Sequence, residues 1–157
     1  MGNSGDNEIT AANKPSPLVC LYLFLSLFVD SHCHLDFADL ASRLDELLAR
    51  MRENDVSHAL CVSVNLEDFP RVRALAENHP NLYASVGVHP DYENLAEPQA
   101  AQLASLADHP KVVAIGETGL DYFRLKGNLE WQRERFRQPA NARNPSSSTR
   151  VKPLPIH

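Results

Sequence analysis

Apolar and polar residues follow one another in a regular order from residue 27 onward. Short apolar runs alternate with longer segments in which leucine or alanine recurs every three or four positions, the spacing of an amphipathic helix. Continuous apolar runs are typical of strands in a parallel sheet that is covered on both faces. The runs therefore predict four buried strands, at LFVDSHCH (27–34), HALCVSV (58–64), LYASVGV (82–88) and KVVAIGE (111–117).

The segments that follow these runs predict four helices, over DLASRLDELLARMRE (39–53), LEDFPRVRALAEN (66–78), PQAAQLASLA (98–107) and NLEWQRERFR (128–137). Asp39 is the expected N-cap of the first helix, and Pro70 and Pro98 suit first turns. Trp131 and Phe136 are expected in the core. Strand and helix in alternation predict an α/β fold with a parallel sheet. A doubly wound sheet could end after four units, whereas a (β/α)8 barrel could not close.

Both ends of the chain depart from this order. Residues 1–17 are polar and without periodicity, which predicts disorder. The apolar run at 18–29 is shorter than the ~20 residues of a membrane-spanning helix, so its end is interpreted as part of the first strand. A native start near Leu27 would make residues 1–26 an extension foreign to the natural product. Residues 138–157 are rich in Pro and Ser and predict an irregular tail.

Composition narrows the function classes. The 43% apolar and 22% charged content is typical of a globular domain. The net charge of -5 argues against a broad basic surface for nucleic acid, although bound metal ions can supply local positive charge. Cys20, Cys33 and Cys61 show no CxxC spacing, which favours reduced thiols and a cytoplasmic location. The 157 residues are fewer than the roughly 250 of a complete barrel.

Three of the predicted strands end in residues that can carry chemistry. His32 and His34 are two positions apart, so both side chains can reach one metal ion from the same side of a strand. Glu117 follows VVAI, where a carboxylate could bridge two divalent ions. His89, in SVGVHP, could contact a phosphate. The alternatives are exposed histidines after a strand, a turn or capping acid, and a solvated loop histidine.

In this order, the segments FVDSHCHLD (28–36), SVGVHP (85–90) and VVAIGETGLDYF (112–123), with Gln132 and the RERFR (133–137) that follows it, resemble the TatD-like metal-dependent deoxyribonucleases of the amidohydrolase superfamily. The resemblance covers about residues 28–137. It implies a (β/α)8 TIM-type barrel that binds two divalent metal ions (Mg, Mn or Zn) and hydrolyses the phosphodiester bonds of DNA. It implies no membrane partner and leaves the oligomeric state open.

The resemblance also assigns residues. By its pattern His32 and His34 are metal ligands, Glu117 bridges the ions, and His89 lies on the substrate side. The family's later histidines and its aspartate base have no counterpart in register here, so the chain corresponds to the N-terminal half, about four βα units. We therefore expect a truncated and impaired hydrolase. The alternatives are a non-catalytic remnant and a related metallohydrolase that acts on another ester or amide.

The tail after Arg137 suggests why the resemblance stops. If the codons from Arg143 onward are read two nucleotides later, they are compatible with the peptide KPFIVHTRE. A TatD-like protein shows such a peptide at strand five, where its next histidine ligand lies. A small frame-disrupting deletion near residue 138 would account for this. The in-frame alternative is that KPLPIH itself is a strand, which would make His157 the third histidine ligand. We favour the frameshift, because the preceding residues are not expected to complete the fourth helix and a proline interrupts that strand.

Overall fold

The computed structural model describes residues 27–142, except 94 and 96. In this part of the chain, strands and helices alternate as the hydrophobic pattern predicts. Proline falls in the first turn of the helix that begins at Phe69, as expected. The elements are β1 (Phe28–Cys33), α1 (Ala38–Ala41), α2 (Leu44–Glu53), β2 (Val56–Cys61), α3 (Phe69–Asn78), β3 (Leu82–Val86), α4 (Ala100–Ala107), β4 (Val112–Ile115) and α5 (Glu130–Ala142).

The four strands form one parallel sheet in the order β1-β2-β3-β4. Each strand thus lies beside the strand that precedes it in the chain, with at least one helix in every connection. A doubly wound sheet reverses its strand order at a switch point, and no such reversal occurs among these strands. The predicted α/β class is confirmed, and the strand order is that of consecutive strands in the wall of a β/α barrel.

The core lies where α3 and α4 pack against the central strands. Phe69, Val72 and Ala76 follow one another at helical spacing on α3 and are at most 2% exposed. They meet fully buried apolar residues of β3, including Leu82. Burial falls toward the first strand, where Phe28 is 66% exposed. The described fold is therefore most tightly packed around β3 and open along β1.

The first predicted helix, over residues 39–53, is two helices in the structure. It breaks after Ala41, and α2 begins at Leu44. The Ser42 hydroxyl donates a hydrogen bond of 3.1 Å to the carbonyl of Asp39, and such local bonds compete with helical ones. Asp39 is also not the N-cap as predicted: Phe37 occupies that position, without a capping side chain.

The last helix extends further than the sequence pattern indicates. It runs to Ala142 with Pro139 inside it, so the prediction of an irregular chain from residue 138 is wrong for residues 138–142. Pro139 and Ala142 are both buried, and the Gln138 side chain accepts a hydrogen bond from the N–H of Ala100. Tertiary packing against α4 thus outweighs the cost of a proline in a helix.

Other predictions for α5 and for the chain ends have mixed outcomes. Phe136 is not a core residue, because it is 43% exposed. The predicted extension at 1–26 and the frameshifted tail from residue 143 lie outside the described residues, as does most of the apolar run at 18–29. Among the described helices, none is long and apolar enough to span a bilayer.

Candidate metal centre

Strand β1 presents two imidazoles on one side. The Nε2 atoms of His32 and His34 are 3.3 Å apart, as expected for alternate residues of one strand. Cys33 lies between them and points the other way, with its Sγ 3.3 Å from the carbonyl oxygen of Leu60 and 3.8 Å from the Sγ of Cys61. The strand therefore separates a pair of histidines on one side from a pair of thiols on the other.

Glu117 reaches the same place from the end of β4. Its backbone N–H donates to the carbonyl of Ser63, and one carboxylate oxygen lies 3.8 Å from Nε2 of His32. One ligand atom each from His32, His34 and Glu117 lies within 4.8 Å of the others. Two imidazole nitrogens and a carboxylate oxygen suit a divalent cation such as zinc or manganese. The donor set therefore fits the metal that the sequence implies.

A backbone contact orients His34. Its Nδ1 lies 3.0 Å from the carbonyl oxygen of Val62, a distance that calls for a proton on Nδ1 and leaves the lone pair of Nε2 free to face an ion. The ring of Phe37 stacks on the imidazole with the centroids 4.8 Å apart. His34 thus has the two supports, hydrogen bond and packing, that a metal-ligating histidine needs.

Buried hydroxyls and a glycine hold the ends of β2, β3 and β4 together. The Ser85 hydroxyl donates to the carbonyl of Gly116 at 2.6 Å and accepts from the N–H of Ser63 at 3.2 Å. Gly87 lies against the next strand so closely that a Cβ there would meet the carbonyl carbon of Gly116 at 2.5 Å. Contacts with Ser85 and Gly87 therefore hold the backbone that carries Glu117 in place.

His89 lies on the other side of the carboxylate. Its Nε2 is 3.4 Å from the second oxygen of Glu117, and its Nδ1 is hydrogen-bonded to Asp91. The backbone N–H of His89 donates to the carbonyl of Val64 at 2.8 Å. Asp91 has no role among the predictions from sequence, although an acid two residues after a candidate histidine is a signal for a partner that orients the ring.

Helix α5 holds the loops that follow β3 and β4. The fully buried amide of Gln132 accepts from the N–H of Asp121 at 2.8 Å and donates to the carbonyl of Pro90 at 3.0 Å. Arg135, 4% exposed, donates to the carbonyl of Tyr92 at 2.6 Å and to both carboxylate oxygens of Glu97. Sequence reasoning gave Arg135 no role; its only signal was its place in the matching RERFR segment.

The thiols behind β1 do not belong to this donor set. Cys33 and Cys61 are both free, as the sequence predicts for reduced cysteines. The hydrogen bond with Cys33 and burial both raise the pKa of the Cys61 thiol, so it stays protonated at neutral pH. The hydrogen bond with Cys61 lowers the pKa of the Cys33 thiol. Both thiols lie on the side of β1 away from the imidazoles, so the donor set consists of nitrogen and oxygen.

An open cavity of about 390 Å³ leads to the donors. Its lining residues are His34, Phe37, Val64, His89, Asp91, Tyr92, Glu117 and Arg124. The opening is at the carboxyl ends of the strands, where parallel α/β folds place their active sites. A ligand could reach the histidines and the carboxylate from solvent by this route.

Sequence comparisons point to one family. The chain matches the model of TatD related DNases over residues 29–144. It is 34% identical over 132 residues to an uncharacterized metal-dependent hydrolase of Buchnera aphidicola, a match that covers 82% of this chain and 48% of the relative. Over 81 residues it is 41% identical to the 3'-5' ssDNA/RNA exonuclease TatD of Cronobacter turicensis, covering 51% of this chain and 31% of the relative.

Solved structures of the same family have the same fold. The TatD homologue YjjV of Escherichia coli superposes with a TM-score of 0.65 at 34% identity, over 73% of this chain and 46% of that one. A TatD family hydrolase of Entamoeba histolytica gives a TM-score of 0.59 at 28% identity, over 73% and 44%. The chain spans about half the length of these relatives, which confirms the predicted partial barrel of four βα units. The chain belongs to the TatD related DNase family.

Proposed function

We propose that this chain carries the metal-binding part of a hydrolase that cleaves the phosphodiester bonds of DNA. The observation that supports it best is the convergence of His32, His34 and Glu117 from two strands on one open point of the sheet. Their roles as ligands are inferred from this geometry and from the family pattern. The number of ions, two, and their identity as Mg, Mn or Zn are inferred from the family alone.

His32, His34 and Glu117 would each supply a different ligand to a bound cation. His32 and His34 would supply nitrogen ligands. Glu117 would supply a carboxylate oxygen on the side of His32, while its other oxygen faces His89. A bound divalent cation lowers the pKa of a water molecule and stabilises charge on a phosphate. Three protein ligands leave a position open for that water, as in catalytic zinc sites. The open cavity gives the substrate access to it.

His89 is placed to contact the substrate. It lies beside Glu117 on the cavity side, and Asp91 holds its other ring nitrogen. A ring that is fixed in this way can hydrogen-bond a phosphate oxygen without first losing side-chain freedom. We therefore assign it to substrate binding rather than to the first set of metal ligands. This assignment agrees with the family pattern of the GVHP segment.

The second possibility is a non-catalytic remnant of such an enzyme that binds metal weakly. It rests on the family pattern, whose later histidines and aspartate base have no counterpart in register here. A related hydrolase that acts on another ester or amide is the third possibility. The reading-frame prediction bears on this choice, and genomic DNA with codons incompatible with KPFIVHTRE would reject it.

Metal binding and cleavage can be tested separately on the purified full chain. Isothermal titration with Mn²⁺ measures binding by the wild type, by His34→Ala and Glu117→Gln, and by His58→Ala as a histidine control on β2 outside the cavity. A labelled single-stranded oligonucleotide with Mn²⁺ or Mg²⁺ then reports cleavage.

We expect the two site variants to lose Mn²⁺ affinity by a hundredfold or more, on the order of what ligand-shell changes cost, while His58→Ala keeps it. Cleavage should require the same residues. Wild-type affinity in His34→Ala would contradict the metal centre. Metal binding without DNA cleavage would support the remnant, or the third possibility if a simple ester is hydrolysed instead.

A further inference from the structure

The loop between β4 and α5 exposes large apolar side chains next to the candidate metal centre. Phe123 is 88% exposed, Tyr122 is 50% exposed and Leu120 is 41% exposed. Phe123 is the most exposed large apolar residue of the described chain. Exposed aromatic residues in a cluster mark a surface that contacts something else. We call residues 120–126 the aromatic loop.

Cationic side chains belong to the loop itself, and one lies beside the Tyr122 ring. Arg124 and Lys126 belong to the aromatic loop, which has one carboxylate, Asp121. The guanidinium of Arg133 lies 6.0 Å from the centre of the Tyr122 ring, and its Nε donates to the Tyr122 hydroxyl at 3.3 Å. In a chain with a net charge of -5, this loop is a local exception. Positive charge beside aromatic rings is what single-stranded nucleic acid requires of a protein surface.

The loop is held in one conformation by Asp121. The carboxylate of Asp121 accepts from the backbone N–H groups of Phe123 at 2.9 Å and Arg124 at 2.8 Å, and from the guanidinium of Arg124 at 3.0 Å. Gln132 fixes the backbone N–H of Asp121 in turn. A guanidinium has five N–H donors, so the bond to Asp121 leaves others free for a phosphate.

Arg124 connects the loop with the metal centre. It lines the same cavity as His34, His89 and Glu117, and it is the cation among the lining residues. A strand with a phosphate on Arg124 would pass from the cavity onto the rings of the aromatic loop. The loop is therefore continuous with the site where hydrolysis is proposed.

We propose that the aromatic loop binds the single strand that enters the metal centre, with Arg124 on a backbone phosphate and Phe123 and Tyr122 stacked on bases. This rests on the proposed function in taking nucleic acid as the substrate. Aromatic faces accept any base, so the loop would give affinity without sequence preference. The charge around the rings favours a polyanion over an apolar protein surface.

The test measures strand binding without metal. Fluorescence anisotropy of a labelled single-stranded oligonucleotide in EDTA gives the dissociation constant for the full chain, for Phe123→Ala and for Arg124→Gln. Matched controls are Phe28→Ala, a ring 66% exposed at the start of β1, and Arg52→Gln, an exposed arginine on α2. Mn²⁺ titration of every variant shows whether the metal donors are intact.

We expect Phe123→Ala to weaken strand binding about tenfold and Arg124→Gln about fivefold, with both controls and all Mn²⁺ affinities unchanged. The salt dependence of binding should fall by a slope of about 0.7 in Arg124→Gln, the value for one phosphate on a single strand. Wild-type strand binding by both loop variants, or no binding by the wild type, would overturn the proposal. If the wild type binds the strand through the aromatic loop but does not cleave it, the result would count against the proposed function and not against this proposal.

Discussion

The two ends of the parallel sheet use polar groups in opposite ways. At the carboxyl end, His32, His34 and Glu117 bring their ligand atoms together, and His34 and Glu117 line an open cavity. At the amino end, the ammonium group of Lys111 donates to three backbone carbonyls, those of His79, Pro80 and Leu82, at 2.8 to 3.0 Å.

The difference shows where this fold keeps polar groups available for a ligand. At the amino end, Lys111 ties the end of α3 to the start of β3, and its ammonium lies 4.8 Å above the ring of Tyr83. Its charge serves the fold itself. At the carboxyl end, backbone and buried side chains hold the donors in place from behind. In α/β barrels the carboxyl face carries function and the amino face carries stability. Changes at the amino end should therefore leave metal affinity intact, whereas changes to the supports of the carboxyl end should reduce stability, metal affinity or both.

The largest effect is expected at the support of the carboxyl end, in Gln132→Ala. The substitution leaves the N–H of Asp121 and the carbonyl of Pro90 without their partner and opens a cavity at a fully buried position. We expect the free energy of unfolding to fall by about 3 kcal/mol. Urea denaturation followed by circular dichroism measures it.

Gln102→Ala on α4 is the matched control for Gln132→Ala, because Gln102 is exposed. It should change stability by less than about 0.5 kcal/mol. Equal losses in the two variants would mean that the amide of Gln132 does not connect the two loops. The carboxyl end would then depend on its strands alone.

Gly87→Ala should affect both stability and metal binding. The new methyl group would meet the carbonyl carbon of Gly116 at 2.5 Å and the carbonyl oxygen of Glu117 at 2.6 Å, both of which are backbone atoms. Separating β3 from β4 should cost about 1–3 kcal/mol and displace Glu117, weakening Mn²⁺ binding. Gly119→Ala is the control, since its methyl group would meet only Pro90 at 4.0 Å. Unchanged Mn²⁺ affinity in Gly87→Ala would separate the strand contact from the site.

Much of this arrangement could be predicted from the sequence, because it follows from periodicity. The apolar pattern predicts the order of strands and helices. The i, i+2 spacing of His32 and His34 predicts that their side chains lie on the same side of the strand. The position of Glu117 at a strand end predicted the edge of the sheet at which it lies. These features depend on neighbours in the chain or on a rule that every parallel sheet obeys.

The features that the sequence did not reveal depend on contacts between distant segments. Gln132 and Arg135 act on loops that are between 11 and 46 residues away, and nothing in their neighbourhood indicates this. The helical position of Pro139 contradicts its propensity and follows from packing on α4. The break after Ala41 depends on a hydroxyl contact of Ser42 that periodicity does not register. The local sequence pattern predicts strands and helices, whereas the residues that hold a site in place act through tertiary contacts.

Lys111→Met tests the amino end. Methionine keeps the apolar stem but removes the donor to three carbonyls. We expect the free energy of unfolding to fall by about 1 kcal/mol, which is less than the loss of three charged hydrogen bonds would suggest. Burial lowers the pKa of Lys111, so folding of the wild type includes a cost of desolvating the ammonium, and the methionine variant does not have this cost. Mn²⁺ affinity should not change. A loss of metal affinity as large as that of Gly87→Ala would show that the two ends are coupled.

The smallest effect is a pH dependence that contrasts with Lys111. Hydrogen bonds from the backbone N–H and the side chain of Arg124 hold the pKa of the Asp121 carboxyl below its ordinary value. For an acid, a lowered pKa in the folded state favours the charged form. Asp121 therefore contributes stability at pH above the unfolded value of about 3.9, and this is lost as the pH falls through the lower folded value. For Lys111 a lowered pKa means the reverse, a charge that folding disfavours.

Asp121→Asn isolates this contribution, because asparagine can still accept the N–H groups of Phe123 and Arg124 but does not titrate. Urea denaturation of both proteins from about pH 6 to pH 3 gives the difference in their unfolding free energies, in which all other carboxylates cancel. The wild type should be the more stable above about pH 5, and its advantage should shrink below about pH 4. A difference that stays constant over this range would mean that the charge of Asp121 does not hold the aromatic loop. The order of the carboxyl end would then rest on the amide of Gln132 and on neutral hydrogen bonds.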